Sequence, residues 1–408
     1  MTLQTFFNPY RPGAGHMPPY LAGRTREKRE FQRLLEQSVI LENLVLTGLR
    51  GVGKTVLLDT LRPTAIDTGW LWAGTDMSES ASISEETTAV RLITDLSVVT
   101  STIEFRTEDR RRFGFGREMD TFSETLNYQT LISVFKGAPG LLADKLKTVL
   151  EFIWACMEGK GIKGIIFAYD EAQTMSDHAQ KDEYPLSLLL DVFQSIQKKS
   201  IPFMLVLSGL PTLFPKLVEA RTFAERMFTV VFLDSLDEQE SRAAITEPLR
   251  NPECSVFFST GVVELIVKVS GGYPYFIQFI CKELYDIIAQ GMLKDNNYVP
   301  LEEITRKLDN DFFAGRWARA TDRQRQLMYA IANLPNCDRE FTVQEIVEAS
   351  KTLDKPFSSS HVNQMLSTLI DMGLIYKNRH GKYSFAVPLL GQYIRRQRSL
   401  ADQQGKLF

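Results

Sequence analysis

The chain has little with which to build a disulfide framework or a metal cage. Its 408 residues include four cysteines and four histidines. Cys156, Cys254, Cys281 and Cys337 are far apart and form no C-x-x-C pair. They read as small buried apolar residues of a reducing compartment. Scattered histidines argue against a metal cluster. No apolar run reaches the roughly 18 residues that suggest a membrane span. The opening MTLQTFFNPYRPGAGHMPPY lacks the basic stretch and apolar run of a secretory leader. A cytoplasmic protein with no membrane partner is the expectation. Charge of one sign is also missing: the formal net charge is −3. That gives no global sign of nucleic-acid binding, yet leaves room for a local basic patch. Internal repeats and low-complexity runs are absent too.

What is present is an ordinary globular composition, 44% hydrophobic and 24% charged. The length is too great for one compact core, so two or three domains are expected. Residues 1–19 are rich in Pro and Gly and read as an extended arm. GRTREKREFQRLLEQSV, from Gly23, carries Phe31, Leu34 and Leu35 on one side of a helix. NLVLTG and GWLWAGTD read as strands, and KTVLLDTLRPTA between them reads as a helix that stops at Pro63. KGIIFAYDE, IPFMLVLSG and RMFTVVFLDSL supply three more strands, and residues 142–158 an amphipathic helix. Strands alternating with helices indicate an α/β fold, a parallel sheet with helices on both faces. The stretch between Lys54 and Asp170 far exceeds the roughly 30 residues of a bare strand–helix–strand unit. It therefore holds an insertion, about 78–141, whose polar flank DMSESASISEETT reads as a loop that orders on assembly.

GLRGVGKT, Gly48 to Thr55, satisfies G-x-x-x-x-G-K-[ST] without departure. It also lies where that motif belongs, between an apolar strand and a helix. The glycines let the backbone curl so that its N–H groups face phosphates, with the positive end of the helix behind them. Gly48, Arg50, Gly51, Val52, Gly53, Lys54, Thr55 and Val56 are the expected nucleotide contacts. Lys54 would reach the β and γ phosphates, and Thr55 would hold Mg²⁺. In GIIFAYDEAQ, Asp170 and Glu171 sit at the carboxyl end of a strand, where ligands bind in such sheets. Asp170 would orient Mg²⁺, and Glu171 would act as general base toward water. Alone, the pair reads better as a cap of the next helix. Beside a phosphate loop it favours hydrolysis of ATP over mere holding. Ser208, ending LVLSGLP, is placed to contact the attacking water or the γ-phosphate, or is a simple strand end. Of Arg221 and Arg226, Arg226 is preferred as the arginine that neutralises phosphate charge in its own or a neighbouring subunit. The alternative is a surface helix arginine.

The order GR (Gly23–Arg24), GLRGVGKT, YDEAQ, LSGLP, GGYPYFIQ resembles the AAA+ P-loop ATPases, in the branch of origin-recognition-like ATPases and STAND signalling ATPases. The resemblance covers roughly residues 15–300. It implies an arm at 1–19, an ATPase core at 20–236, a helical lid at 237–300 and a winged-helix domain at 301–408. It further implies that the segment with Gly23 and Arg24 cups the adenine, and that Pro274 opens a lid helix over the nucleotide. Many relatives carry an arginine after that Gly-x-Pro; this chain has Tyr275. The sensor strand carries Ser208 where asparagine is common. Both departures tilt the expectation from a fast motor toward a slow switch.

At the C-terminal end, FTVQEIVEAS has a capping box, Thr342 with Glu345. SSSHVNQMLSTLIDMGLI is helical, and IYKNRHGKYSFAVPLL alternates like a hairpin turning at His380–Gly381. Helix, turn, helix and hairpin describe a winged helix. Between Asn336 and Leu400 nine basic residues face six acidic ones, and Lys377, Arg379 and Lys382 cluster on the wing. They suit duplex phosphates. The helix before the wing has no arginine for base readout, so docking on a protein stands as an equal reading. RRRFGFGRE in the insertion offers Arg110–Arg117 as a second nucleic-acid contact, or a plain loop tip. Two functions follow. One is an ATP-hydrolysing switch acting with DNA, as loader, transposition regulator or defence component. The other is a STAND-like signalling ATPase that assembles with a protein partner. A trans arginine suits a homo-oligomer in both.

Overall fold

The computed structural model describes residues 7–13, 15–111, 119–291, 298–379 and 381–403. It divides into two compact units. One is built from Thr25–Thr47 and Leu57–Phe232, the other from Met1–Arg24, Gly48–Val56 and Leu233–Phe408.

The first unit holds the sheet. Helix α1 (Thr25–Leu35) buries Phe31, Leu34 and Leu35, the stripe expected from their spacing. Strand β1 (Asn43–Gly48) leads into α2 (Lys54–Asp67), and β2 (Trp70–Ala73) follows. The reading that α2 stops at Pro63 is corrected: the helix runs through it. A proline costs a helix one backbone bond. Here the apolar row Leu57, Leu61, Ala65 continues past it and is buried, which outweighs that loss. Then come α3 (Glu85–Thr100), β3 (Glu104–Arg111), β4 (Met119–Thr125), α4 (Tyr128–Gly137) and α5 (Leu142–Met157). Strand β5 (Gly164–Tyr169), α6 (Pro185–Lys198), β6 (Phe203–Gly209), α7 (Leu213–Ala220), α8 (Ala224–Met227) and β7 (Phe228–Leu233) complete the unit.

The sheet order is β2-β5-β6-β1-β7. The β1·β6, β5·β6 and β2·β5 pairings are parallel. Helices α5 and α6 contribute apolar stripes to the core, with Phe167 and Phe193 ring centroids 4.8 Å apart, edge to face. Register at the amino ends is pinned by buried Asn43. Its Oδ1 accepts from the Leu205 amide at 2.8 Å, and its Nδ2 donates to the Met227 carbonyl at 3.1 Å.

The expected loop DMSESASISEETT is also corrected. Ser84 caps α3 in a reciprocal box with Thr87, and Glu85 and Glu86 occupy the first turn. Carboxylates there complement the helix dipole, so a polar stretch that looked unstructured is a helix start. The insertion continues as an antiparallel ribbon, with Glu104 opposite Thr125 and Arg111 opposite Met119. Arg110 and Arg111 lie on β3, whereas residues 112–118, including Phe113 and Phe115, lie outside the described residues.

The second unit contains α9 (Glu238–Thr246), α10 (Thr260–Ser270), α11 (Pro274–Ala289) and α12 (Leu301–Leu308). A π-helical segment (Asp309–Ala314) runs on into α13 (Gly315–Ala318). Next are α14 (Asp322–Ala332), α15 (Val343–Ala349), α16 (Ser359–Asp371), the ribbon β8 (Ile375–Arg379) and β9 (Lys382–Phe385), and α17 (Leu390–Gln403). The capping box forms as expected, the Glu345 amide donating to Thr342 Oγ1 at 3.2 Å. Phe341 bridges to Tyr383, adding a third segment beside the ribbon. Residues 8–11 pack on α9 and α11. Asn8 Nδ2 donates to Lys282 O at 3.1 Å, the Arg11 amide to Gln278 Oε1 at 3.0 Å, and buried Tyr10 OH to Ile245 O at 2.5 Å. Among the described residues no helix is long and apolar enough to cross a membrane.

Candidate functional site

The phosphate loop follows β1 directly. Gly48 has no space for a side chain: a Cβ there would meet Leu233 O at 2.6 Å. Gly51 and Gly53 adopt φ of 79° and 88°, a left-handed backbone that costs other residues about 1–2 kcal/mol. That conformation turns the chain so that α2 begins at Lys54. The buried Lys54 ammonium is held over the loop, donating to Gly48 O and Leu49 O at 3.0 Å each.

Two further contacts hold the loop. Arg24, itself at φ 67° and buried, donates from Nη2 to Val52 O and to Asp234 O, both at 2.9 Å. Its guanidinium therefore ties the loop to the end of β7. Pro274 is the first residue of α11, and the next amide, Tyr275 N–H, donates to Gly51 O at 3.1 Å. The first amides of a helix have no partner within it, so the loop carbonyl serves as the cap of α11. Gly23, at φ 67°, lies against Glu240, whose carboxylate a Cβ would touch at 2.6 Å. Thr55 and Val56, half-buried, form the first turn of α2.

In the sheet unit, Tyr169 is opposite Leu207, which places Asp170 and Ser208 side by side at the carboxyl edge. Asp170 is buried, and its carbonyl accepts from the Met77 amide at 2.9 Å. Glu171 has φ 51° and its amide donates to Asp170 Oδ1 at 2.8 Å. A left-handed glutamate is uncommon, and such strain concentrates at functional sites. Gln173 bridges the two strand ends: its Nε2 donates to Glu171 Oε2, and its Oε1 accepts from the Leu210 amide at 2.9 Å. Sequence reading missed Gln173, although it stands two residues after Glu171 in the quoted DEAQ. Ser208 Oγ and Thr47 Oγ1 are fully buried at the ends of β6 and β1, and neither has a hydrogen-bond partner among the described residues.

The two candidate arginines differ. Arg221 makes a two-pronged pair with Asp191, at 2.8 and 2.7 Å, and reaches Ser187 Oγ at 2.7 Å. That hydrogen-bonded carboxylate raises its guanidinium further above the ordinary value. Arg226 is exposed on α8. On the C-terminal ribbon Lys377 is exposed and Lys382 half-buried, while α16 presents His361, Asn363 and Gln364 to solvent.

Within its own unit the loop offers curled amides at a helix start, the Lys54 ammonium and the Thr55 hydroxyl, donors and a ligand atom that suit phosphates with Mg²⁺. Within the sheet unit the strand ends offer the Asp170 carboxylate and the buried Thr47 and Ser208 hydroxyls. Nothing lies within 4 Å of the direction in which a Cβ on Gly53 would point, so the loop has room beside it.

Parallel strand order with a phosphate loop after β1 makes an α/β P-loop fold, and solved structures share it. The Walker-type ATPase PABY2304 of Pyrococcus abyssi matches over 92% of this chain and 96% of its own, with a TM-score of 0.58 and 18% identity. The ADP form of the Aeropyrum pernix ORC2 protein matches over 96% and 98%, with a TM-score of 0.54 and 15% identity. At such identities the likeness is one of fold. A family model described as "Domain of unknown function (DUF8462)" matches residues 310–394. No curated protein matches the sequence.

Proposed function

We propose that the protein binds ATP with Mg²⁺ and hydrolyses it slowly to ADP and phosphate, as a switch that acts with DNA. The observation that carries this reading is the loop itself: left-handed Gly51 and Gly53, with Lys54 held above carbonyls of the loop. Lys54 and the loop amides take the phosphates. Thr55 and Asp170 would hold Mg²⁺, which would supply charge neutralisation. Glu171, held by Gln173, accepts the proton of the attacking water. Ser208 orients that water or the γ-phosphate. Arg226, exposed, serves a neighbouring copy's site. In this reading Gly23 and Arg24 shape the loop and the adenine side, and Pro274 starts the lid helix.

The C-terminal helices and ribbon are read as a winged helix, with Lys377, Arg379 and Lys382 against duplex phosphates and Arg110 and Arg111 on the ribbon of the insertion as a second contact. A specific observation favours a second reading, a STAND-like signalling switch with a protein partner: the exposed face of α16 carries no basic residue among His361, Asn363 and Gln364. The test is ATP turnover with and without double-stranded DNA, with Lys54→Ala and Glu171→Gln as controls. DNA stimulation lost in both variants supports the first reading. Slow turnover indifferent to DNA, yet lost in both, supports the second. Turnover that survives Glu171→Gln refutes the hydrolytic role.

A further inference from the structure

A glutamate side chain has several rotatable bonds, so a base carried on one needs a partner to hold it. Glu171 has that partner in Gln173, whose Nε2 donates to Glu171 Oε2. Gln173 is in turn held by the neighbouring strand. Its Oε1 accepts from the Leu210 amide at 2.9 Å. That bond decides which way the side-chain amide faces: a backbone N–H needs the oxygen, so the NH₂ group is left for the carboxylate. The same oxygen lies over Gly209, where a Cβ would sit 2.5 Å from it. Gly209 is not among the left-handed glycines, so close approach alone requires glycine here. It ends β6, directly after Ser208, and β6 lies beside β5.

A second hold comes from α7. Lys216 Nζ donates to Gln173 O at 2.8 Å and to Ser176 Oγ at 3.1 Å. Its ammonium thus grips the short 3₁₀ turn Ala172–Thr174 that carries Gln173. On the other side of that turn Thr174 Oγ1 donates to Met77 O at 2.9 Å. Helix α7 is itself fixed. It buries Leu213 and Leu217, and Arg221, the residue that caps its end, makes the two-pronged pair with Asp191 of α6. Lys216 therefore reaches the turn from an anchored helix.

We propose that Gly209 and Lys216 are positioning residues for Glu171, acting through Gln173. The inference rests on the reading of Glu171 as general base. A base must lie within hydrogen-bond reach of the water it activates, and a displacement of roughly 1 Å costs about 100-fold in rate. Gly209 leaves the space in which the Gln173 amide can face both Leu210 and Glu171. Lys216 keeps the turn, and with it that amide, from swinging away. The end of β6 and the first turns of α7 thereby set a carboxylate that belongs to β5.

The test measures ATP turnover and the binding of a non-hydrolysable ATP analogue for the full chain. The variants are Gly209→Ala, Lys216→Met, Lys216→Arg and Gln173→Ala, with two doubles that add Gly209→Ala or Lys216→Met to Gln173→Ala. Melting curves check that each one folds. Gly209→Ala and Lys216→Met should each lower kcat about tenfold or more and leave analogue affinity within about twofold. Lys216→Arg keeps the cation and should recover part of the loss. In the Gln173→Ala background both substitutions should change kcat by less than about twofold, because the group they position is gone. A merely structural role gives equal losses with and without Gln173, and that result overturns the inference. An unchanged kcat in the single variants overturns it as well, as does analogue affinity that falls in step with kcat. Wild type and Glu171→Gln are the controls. If wild type does not hydrolyse ATP, or Glu171→Gln hydrolyses it as fast, the reading of the base falls and takes the inference with it.

Discussion

Consider alanine at Gly51 and, separately, at Gly53. Both positions are left-handed, with φ of 79° and 88°, so each substitution carries a conformational cost of about 1–2 kcal/mol. Their surroundings differ. At Gly53 a new methyl meets nothing within 4 Å; at Gly51 it meets Tyr275 Cβ at 3.0 Å. Helix α11 and the loop must separate by a few tenths of an ångström, and the bond from Tyr275 N–H to Gly51 O, already 3.1 Å, is lost. Losing that bond adds about 0.5–1.5 kcal/mol. Gly51→Ala should thus favour local opening by roughly 2–3 kcal/mol, and exchange of the Tyr275 amide with solvent deuterium should quicken about 30- to 150-fold. Gly53→Ala should quicken it less than about fivefold, since its strain does not act on that bond. The assay is hydrogen exchange of the peptide spanning Tyr275, without nucleotide, so that phosphate affinity does not enter. Equal exchange in the two variants would refute the claim that the loop caps α11.

Gln173→Ala frees the Glu171 carboxylate and should cut ATP turnover about 10- to 100-fold while analogue affinity stays within about twofold; unchanged turnover would remove Gln173 from the site. Burial raises Tyr273 and Tyr393 to about 12. Their folded values exceed the unfolded value near 10, so the stability they support is complete below about pH 10 and is lost as pH rises toward 12. Tyr393→Phe keeps the stack on Phe313 and should move the alkaline unfolding midpoint upward in a circular dichroism titration; a downward move contradicts the assignment. Replacing Lys377 and Lys382 together by Ala should reduce the slope of log affinity for duplex DNA against log salt by about two, in fluorescence anisotropy. An unchanged slope would direct attention to a protein partner.

Several parts of this molecule were legible in the residues alone because they depend on short stretches of chain. GLRGVGKT specifies its own curl, and alternating apolar blocks specify strands whose parallel pairing follows. The capping box of Thr342 and Glu345, the stripe of Phe31, Leu34 and Leu35, and the start of α11 at Pro274 are local in the same sense. Local reading erred where two signals competed. Pro63 looked like a stop because a proline weakens a helix by itself, but the buried row beyond it wins. DMSESASISEETT looked like a loop because it is polar, yet Ser84 and two glutamates are what a helix start prefers.

Tertiary structure decided the contacts between residues distant in sequence. Strand β6 lies between β1 and β5, which sets Ser208 beside Asp170. Arg24 is spent on Val52 and Asp234 carbonyls, and Arg221 on Asp191. A motif states which atoms can hold a phosphate, because that chemistry lies within a few residues. Which other charges come to share the site depends on packing between segments whose attraction is non-directional, and only the folded chain expresses that choice.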